Sequence, residues 1–432
     1  MSIVLKNPIK AIQSHAFLGP AAVLFISANI ANAANLIFNM IFARLMGPAL
    51  FADLTLLLTL KLGLLSFLGA FQFAFAEQSA KDKHIPTSKL KAFALAWRSF
   101  KISVPIMFVV IALSELLCSW LNFSSPRALV LLALAIPFFL PMVIYRGLTQ
   151  GLIHVPKIVL SIQAEWIIRL AGSVLLWQMG FGLAGIAAAV GLSIVAGFIF
   201  STDRQDWSSA RKKALSVKTT DDAKALSVMA MPYLILQLAQ ILVLDSDILI
   251  AKAGFSAETA GLVAGLLLIQ RVFFFAFLSG SIILQPFVAQ QNSENGSPKE
   301  LFILLLAIVC ISAAALLVII PNSTLIVKLM LGEAYIQLSS IVWVSAMTGA
   351  VFIVSHLCAI YQIAKGQKLA AQIVLGFGIV QLFILSIVNH IFADLGLHSY
   401  FITKLVVQII CAICLLGSVL VAHRRSKKLL IT

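Results

Sequence analysis

The chain has 432 residues, of which 61% are hydrophobic and only 11% charged, and it carries a formal net charge of +15. So much apolar surface cannot be hidden in a water-soluble core, which leaves lipid as the solvent and excludes a soluble globular fold. The polar gaps between apolar runs are too short for a soluble catalytic domain, and no GxxxxGK[ST] phosphate loop occurs, which excludes a built-in ATPase.

In chain order, apolar runs predict transmembrane helices over 19–42, 51–76, 97–118, 127–145, 158–179, 183–201, 226–250, 260–288, 300–320, 338–362, 370–392 and 399–422. Each is long enough, at about 1.5 Å per residue, to cross roughly 30 Å of hydrocarbon. The expected fold is all-α, a polytopic membrane protein of about twelve transmembrane helices in two pseudo-symmetric six-helix lobes. The lobes are 1–201 and 226–422, joined by a polar linker over 202–225 and followed by a basic tail over 423–432. The first run is too long for a signal peptide and lacks a small-residue cleavage site, so no processing is expected.

Charge placement predicts orientation. Of the 31 Lys and Arg, only Arg44, Arg127, Lys252 and Lys328 fall on one side of this topology. Lys61, Arg169, Arg271 and Lys404 fall inside spans, and all the rest share the side of the two termini. Positive loops face the cytoplasm, so both termini are expected there, in a bacterial inner membrane. The basicity therefore reports topology, and no nucleic-acid partner is expected.

The two halves open alike. Each has a helix with polar residues, a turn with a basic residue and glycine, and a second helix with a mid-span cation: Arg44 then Lys61, and Lys252 then Arg271. Internal duplication of this kind is common in transporters, with the site at the repeat interface near mid-membrane. The first helix carries Asn29, Asn32, Asn35 and Asn39 within an arc of about 120°, and the seventh carries Tyr233, Gln237, Gln240 and Asp247 within about 80°. Such amides either glue helices together by hydrogen bonds or line a wet cavity, and matching faces from two halves would line one lumen.

Lys61, Arg169 and Arg271 sit near mid-span, where a charge costs at least about 2.5 kcal/mol. Lys404 is close enough to a span end to snorkel. With Asp245 and Asp247 the only acids clearly inside spans, and Glu115 and Glu165 nearer the ends, the buried balance reads as cationic. An unpaired cationic lumen suits an anionic cargo such as a pyrophosphate or an acidic sugar. The alternative is that these cations form structural bridges with Asp247 or Glu165. Asp247, the acid on the polar face of the seventh helix, is the candidate ion-coupling residue. Asp245-Ser246-Asp247 spells a DxD, but its carboxylates project about 160° apart on a helix with no aqueous domain beside it, so no metal site is expected. His154 and His356 lack ligand spacing, and Cys411 and Cys414 form a CxxC one turn apart inside the last span, which reads as packing.

Several motifs then point to a family. FARLMGP after the first helix, YRGLTQGL at 145–152, IQAEWIIRL, GFGLAGIAAA, DILIAKAGFSAETAGL, LQPFVA and LGEAY at 331–335 occur in order over nearly the whole chain. Together they resemble the polysaccharide-flippase branch of the multidrug/oligosaccharidyl-lipid/polysaccharide exporter (MOP) superfamily. The resemblance implies a transporter and not an enzyme. It implies translocation of a polyprenyl-pyrophosphate-linked oligosaccharide, an O-antigen or exopolysaccharide repeat unit, from the cytoplasmic to the periplasmic leaflet by alternating access. It further implies no cofactor, a proton or sodium gradient as the drive, and membrane lipids, a polysaccharide polymerase and chain-length machinery as partners. On this reading Lys61, Arg169 and Arg271, with Asn29, Asn32, Asn39, Gln237 and Gln240, bind the cargo. The rivals are a drug exporter of the same superfamily, which would need more acids than bases in its lumen, and a polysaccharide polymerase or ligase, which would need a longer outer loop.

Overall fold

The structure, a computed structural model, describes residues 8–81, 85–152, 154–202, 220–278, 299–367, 369–391 and 396–429. All the secondary structure among them is helical. In chain order the helices are α1 (Pro8–Lys81), α2 (Ile85–Ala112), α3 (Ser114–Trp120), α4 (Pro126–Ala133), α5 (Ile136–Gly151), α6 (Val155–Gln178) and α7 (Gly182–Ser201). After most of the linker, which lies outside the described residues, come α8 (Thr220–Leu244), α9 (Ser246–Gly254), α10 (Ala257–Leu278), α11 (Lys299–Ile319) and α12 (Ser323–Met330). A short 3-10 helix (Glu333–Ser340), α13 (Val342–Ala364), α14 (Leu369–Ile391) and α15 (Gly396–Leu429) complete the chain.

Among the described residues, nine helices are long and apolar enough to cross a membrane. Two further spans are bent pairs, 126–133 with 136–151 and 230–244 with 246–254, each bent by 41°. The apolar stretch Ile26–Ala76 of α1 is 51 residues long, far more than one crossing needs. It breaks at Gly47, whose φ of 70° is left-handed, so α1 is two antiparallel limbs, 8–46 and 48–81. Gly47 ends the first limb and Pro48 opens the second, the positions where each residue is least disruptive. Counting the limbs separately gives the twelve expected spans.

Six spans pack on each other in each half. In the first lobe α5 lies against the second limb of α1, α2 and α7, while α6 pairs with α7; in the second, α13 lies against α10 and α15, and α14 against α8. The lobes meet where α1 contacts α8 and α10. The apolar core is distributed unevenly along the membrane normal. Toward the Gly47 end it is one continuous cluster shared by both lobes, joining Phe42, Phe51 and Leu54 to Val263, Leu266 and Tyr335. Toward the end bearing the Lys- and Arg-rich loops, here the basic face, it divides: Phe75, Met142 and Tyr145 centre one cluster, and Leu236, Phe352 and Leu357 another. The lobes are therefore fused by one shared core at the opposite face, while toward the basic face each has a core of its own and α8 bridges them, with Ala230 and Tyr233 packed on the first lobe.

Candidate functional site

A cleft of about 220 Å³ opens where the first limb of α1 faces α10, lined by Asn29, Asn32, Asn35 and Asn39 on one wall and by Leu268, Arg271, Val272 and Phe275 on the other. Its volume holds several waters, and four amides supply the polar partners that wet cavities need. Asn39 donates from its side chain to the Asn35 carbonyl at 2.7 Å, and Asn32 reaches the Phe275 carbonyl across the lobes at 3.4 Å. The asparagine stripe thus faces a cavity as its periodicity predicts. Its partner wall is α10, however, not the seventh span. Gln240 on α8 is buried, Gln237 is half-buried, and neither lines the cleft. α8 instead packs along the second limb of α1, with Gly63 against Ile241 and the Phe73 and Tyr233 rings 5.9 Å apart.

The mid-span cations are not the unpaired set that their sequence positions suggest. Lys61 donates to Glu165 at 2.8 Å, and Arg146 reaches the other oxygen of the same carboxylate at 3.0 Å while also bonding Ser161. Arg169, one turn beyond Glu165 on α6, stacks its guanidinium over the Phe38 ring at 5.5 Å, and its Nε is buried without a hydrogen-bond partner. Lys61 and Arg146 therefore share one carboxylate inside the first lobe, and Arg169 adds a third cation within its electrostatic reach. Glu165, read from sequence as near a span end, is the acid that organises this group, and Arg146, read as a loop residue, lies within α5.

In the second lobe the charges balance. Arg271 grips Asp245 at 2.8 and 2.5 Å and donates to Thr59 of the other lobe at 2.7 Å. Lys404 is fully buried and bonds Asp247 and, at 2.9 Å, Gln270; Asp247 also accepts from the Tyr400 hydroxyl at 2.9 Å. Lys404 does not snorkel: it is among the most deeply buried side chains of the protein. The bend between α8 and α9 falls at Asp245, so this group lies at a broken helix, where freed backbone groups and ionisable side chains commonly gather in transporters. Beside the bend the Val243 carbonyl accepts from Gln381 at 3.1 Å.

A further pair was not legible as such. Lys252, expected in an outer turn, is buried and donates to Asp53 of the first lobe at 2.6 Å. The second Asp53 oxygen accepts from the Ser124 amide at 3.3 Å, and Asn122 donates to the Lys252 carbonyl at 2.7 Å. Asp53 carried one sequence signal, an acid within a run of Leu and Thr, but nothing local names a partner 199 residues away. Lys61 and Arg271 do not meet in one cavity. Thr59, which touches Arg271, and Lys61 project about 160° apart on their shared helix, and Lys61 lines a separate apolar cavity with Leu64, Leu117 and Phe139.

This two-lobe, all-helical architecture is the fold of solved MATE family structures. It is similar to an inward-facing conformation of a multidrug resistance MATE family transporter of the MOP superfamily, at 14% identity and a TM-score of 0.77 over 93% of this chain and 96% of that one. An outward-facing conformation of such a transporter gives 15% identity and a TM-score of 0.69 over 96% of each chain. A eukaryotic MATE transporter, AtDTX14, gives 11% and 0.67 over 95% of this chain and 96% of that one. No family model and no curated protein matches the sequence.

Proposed function

We propose that the protein is an exporter of the flippase type, carrying an anionic lipid-linked oligosaccharide across the membrane through the asparagine-lined cleft. The observation that carries this reading is the group of Lys61, Arg146 and Arg169 around the single carboxylate of Glu165. Two positive charges in excess, in low dielectric, create a field that draws an anionic headgroup and repels a cationic drug. The cleft then offers amide hydrogen bonds suited to sugar hydroxyls. With the basic face cytoplasmic, the cleft loads from the cytoplasmic leaflet, and Asp247 serves as the coupling residue for an ion gradient. A second reading, export of cationic drugs, is favoured by the solved structures described as multidrug transporters.

The two readings separate in vesicles containing the purified protein. A fluorescent polyprenyl-pyrophosphate-linked oligosaccharide should cross between leaflets, and a cationic dye should not. Arg169→Gln, which deletes one of the two excess charges, should slow crossing about tenfold or more at unchanged protein abundance. Dye transport without crossing of the lipid-linked sugar would replace this reading with the second.

A further inference from the structure

The second lobe holds a group of oxygen ligands built around a positive centre that belongs to the protein itself. The Asp247 carboxylate, the Gln270 carbonyl oxygen and the Tyr400 hydroxyl converge beside the helix break, each on a side chain that is 2% exposed or less. They come from α9, α10 and α15, so the arrangement depends on tertiary packing and not on one helix. Asp247 Oδ2 and the Gln270 oxygen touch one positive charge, and the Tyr400 hydroxyl holds the other Asp247 oxygen beside it; hard oxygens of this kind are what an alkali cation requires. The position is taken by the Lys404 ammonium, a compact point charge of comparable size on a flexible stem. Nearby, Asp245 pairs with Arg271 through one oxygen, and its second oxygen is buried with no partner. The four charged groups facing each other here, Lys404, Arg271, Asp245 and Asp247, sum to zero; α13 and α14 add only uncharged groups such as Gln381.

We propose that Lys404 is a specificity-determining residue: its tethered ammonium fills the cation position of the second lobe, so that this centre takes no sodium in the native protein, and truncating the side chain turns it into an alkali-cation site. Removing one positive charge leaves the group at net −1, with Asp247, Gln270, Tyr400 and the free Asp245 oxygen around a vacated volume. A sodium ion restores neutrality there. The consequence for transport rests on the exporter reading, since it removes sodium from the coupling ions this centre can use.

The test reads binding and not cargo, so it stands or falls independently of what is transported. The full chain is purified in detergent, and its melting temperature is followed across a sodium chloride titration at ionic strength held constant with choline chloride. The wild type should not respond. Lys404→Ala, and Lys404→Met as the variant that keeps the apolar stem, should show a saturable rise with sodium, lost again in the Lys404→Ala, Asp247→Asn double variant. A saturable sodium response of the wild type overturns the proposal, as does a folded Lys404 variant with no gain. If neither variant folds, the wild-type titration alone decides between these outcomes.

Discussion

At the scale of the residue, the protein handles charge in the membrane by pairing it over long sequence distances. Lys61 meets Glu165 and Lys404 meets Asp247 inside their own lobes, whereas Lys252 meets Asp53 between lobes. Removing one partner of such a pair leaves the other charge buried and uncompensated, at a cost of about 3–5 kcal/mol. Asp53→Asn and Lys252→Met should therefore each lower the melting temperature in detergent. The reversed pair, Asp53→Lys with Lys252→Asp, should recover part of the loss. Single variants that melt with the wild type would mean that the pair is open to water. Mid-span position made Lys61 legible as a charge that needs shelter, and periodicity made the asparagine stripe legible as a cavity wall, whereas Lys252 read as a turn residue and Lys404 as one that snorkels. Neither signal could name partners, because pairing depends on which helices become neighbours. Hence the cationic lumen read from Lys61, Arg169 and Arg271 reduces, among the described residues, to one group with excess charge, that around Glu165.

At the scale of the element, the junction of the α1 limbs controls how closely the lobes meet at the opposite face. A Cβ on Gly261 of α10 would lie 2.0 Å from the Pro48 carbonyl oxygen, so only glycine permits this approach. A second close approach lies within one lobe, where a Cβ on Gly349 of α13 would lie 2.2 Å from the Gln270 carbonyl oxygen. The two should behave differently. Gly261→Ala should push the lobes apart at the opposite face, seen as a longer spin-label distance between Ser124 and Ser256, with little change in melting temperature. Gly349→Ala should lower the melting temperature and leave that distance alone. An unchanged distance in Gly261→Ala would show that the lobes do not bear on each other there. The helices themselves were legible from apolar run length, since lipid demands complete spans. The break at Asp245 was not, because a bend inside an apolar run leaves its composition unaltered.

At the scale of the whole molecule, one core joins the lobes at the opposite face, and toward the basic face there are two cores, with α8 packed on the second limb of α1 and the asparagine-lined cleft open between the first limb and α10. The twelve-span, two-lobe plan followed from hydropathy and from the repeated order of motifs. The pairing of the first span with the eighth did not follow, since a repeat in sequence fixes which elements correspond and not which of them touch. The proposed transport by alternating access requires the contacts at the opposite face to separate in each cycle. Phe51 and Tyr335 lie across that interface with ring centroids 6.3 Å apart. In a background with the five native cysteines replaced, Phe51→Cys and Tyr335→Cys can be joined by a short, cleavable thiol cross-linker. Crossing of the fluorescent lipid-linked oligosaccharide in vesicles should stop when the link forms and return when it is cleaved; crossing at the unlinked rate with the link intact would contradict alternation of the two lobes.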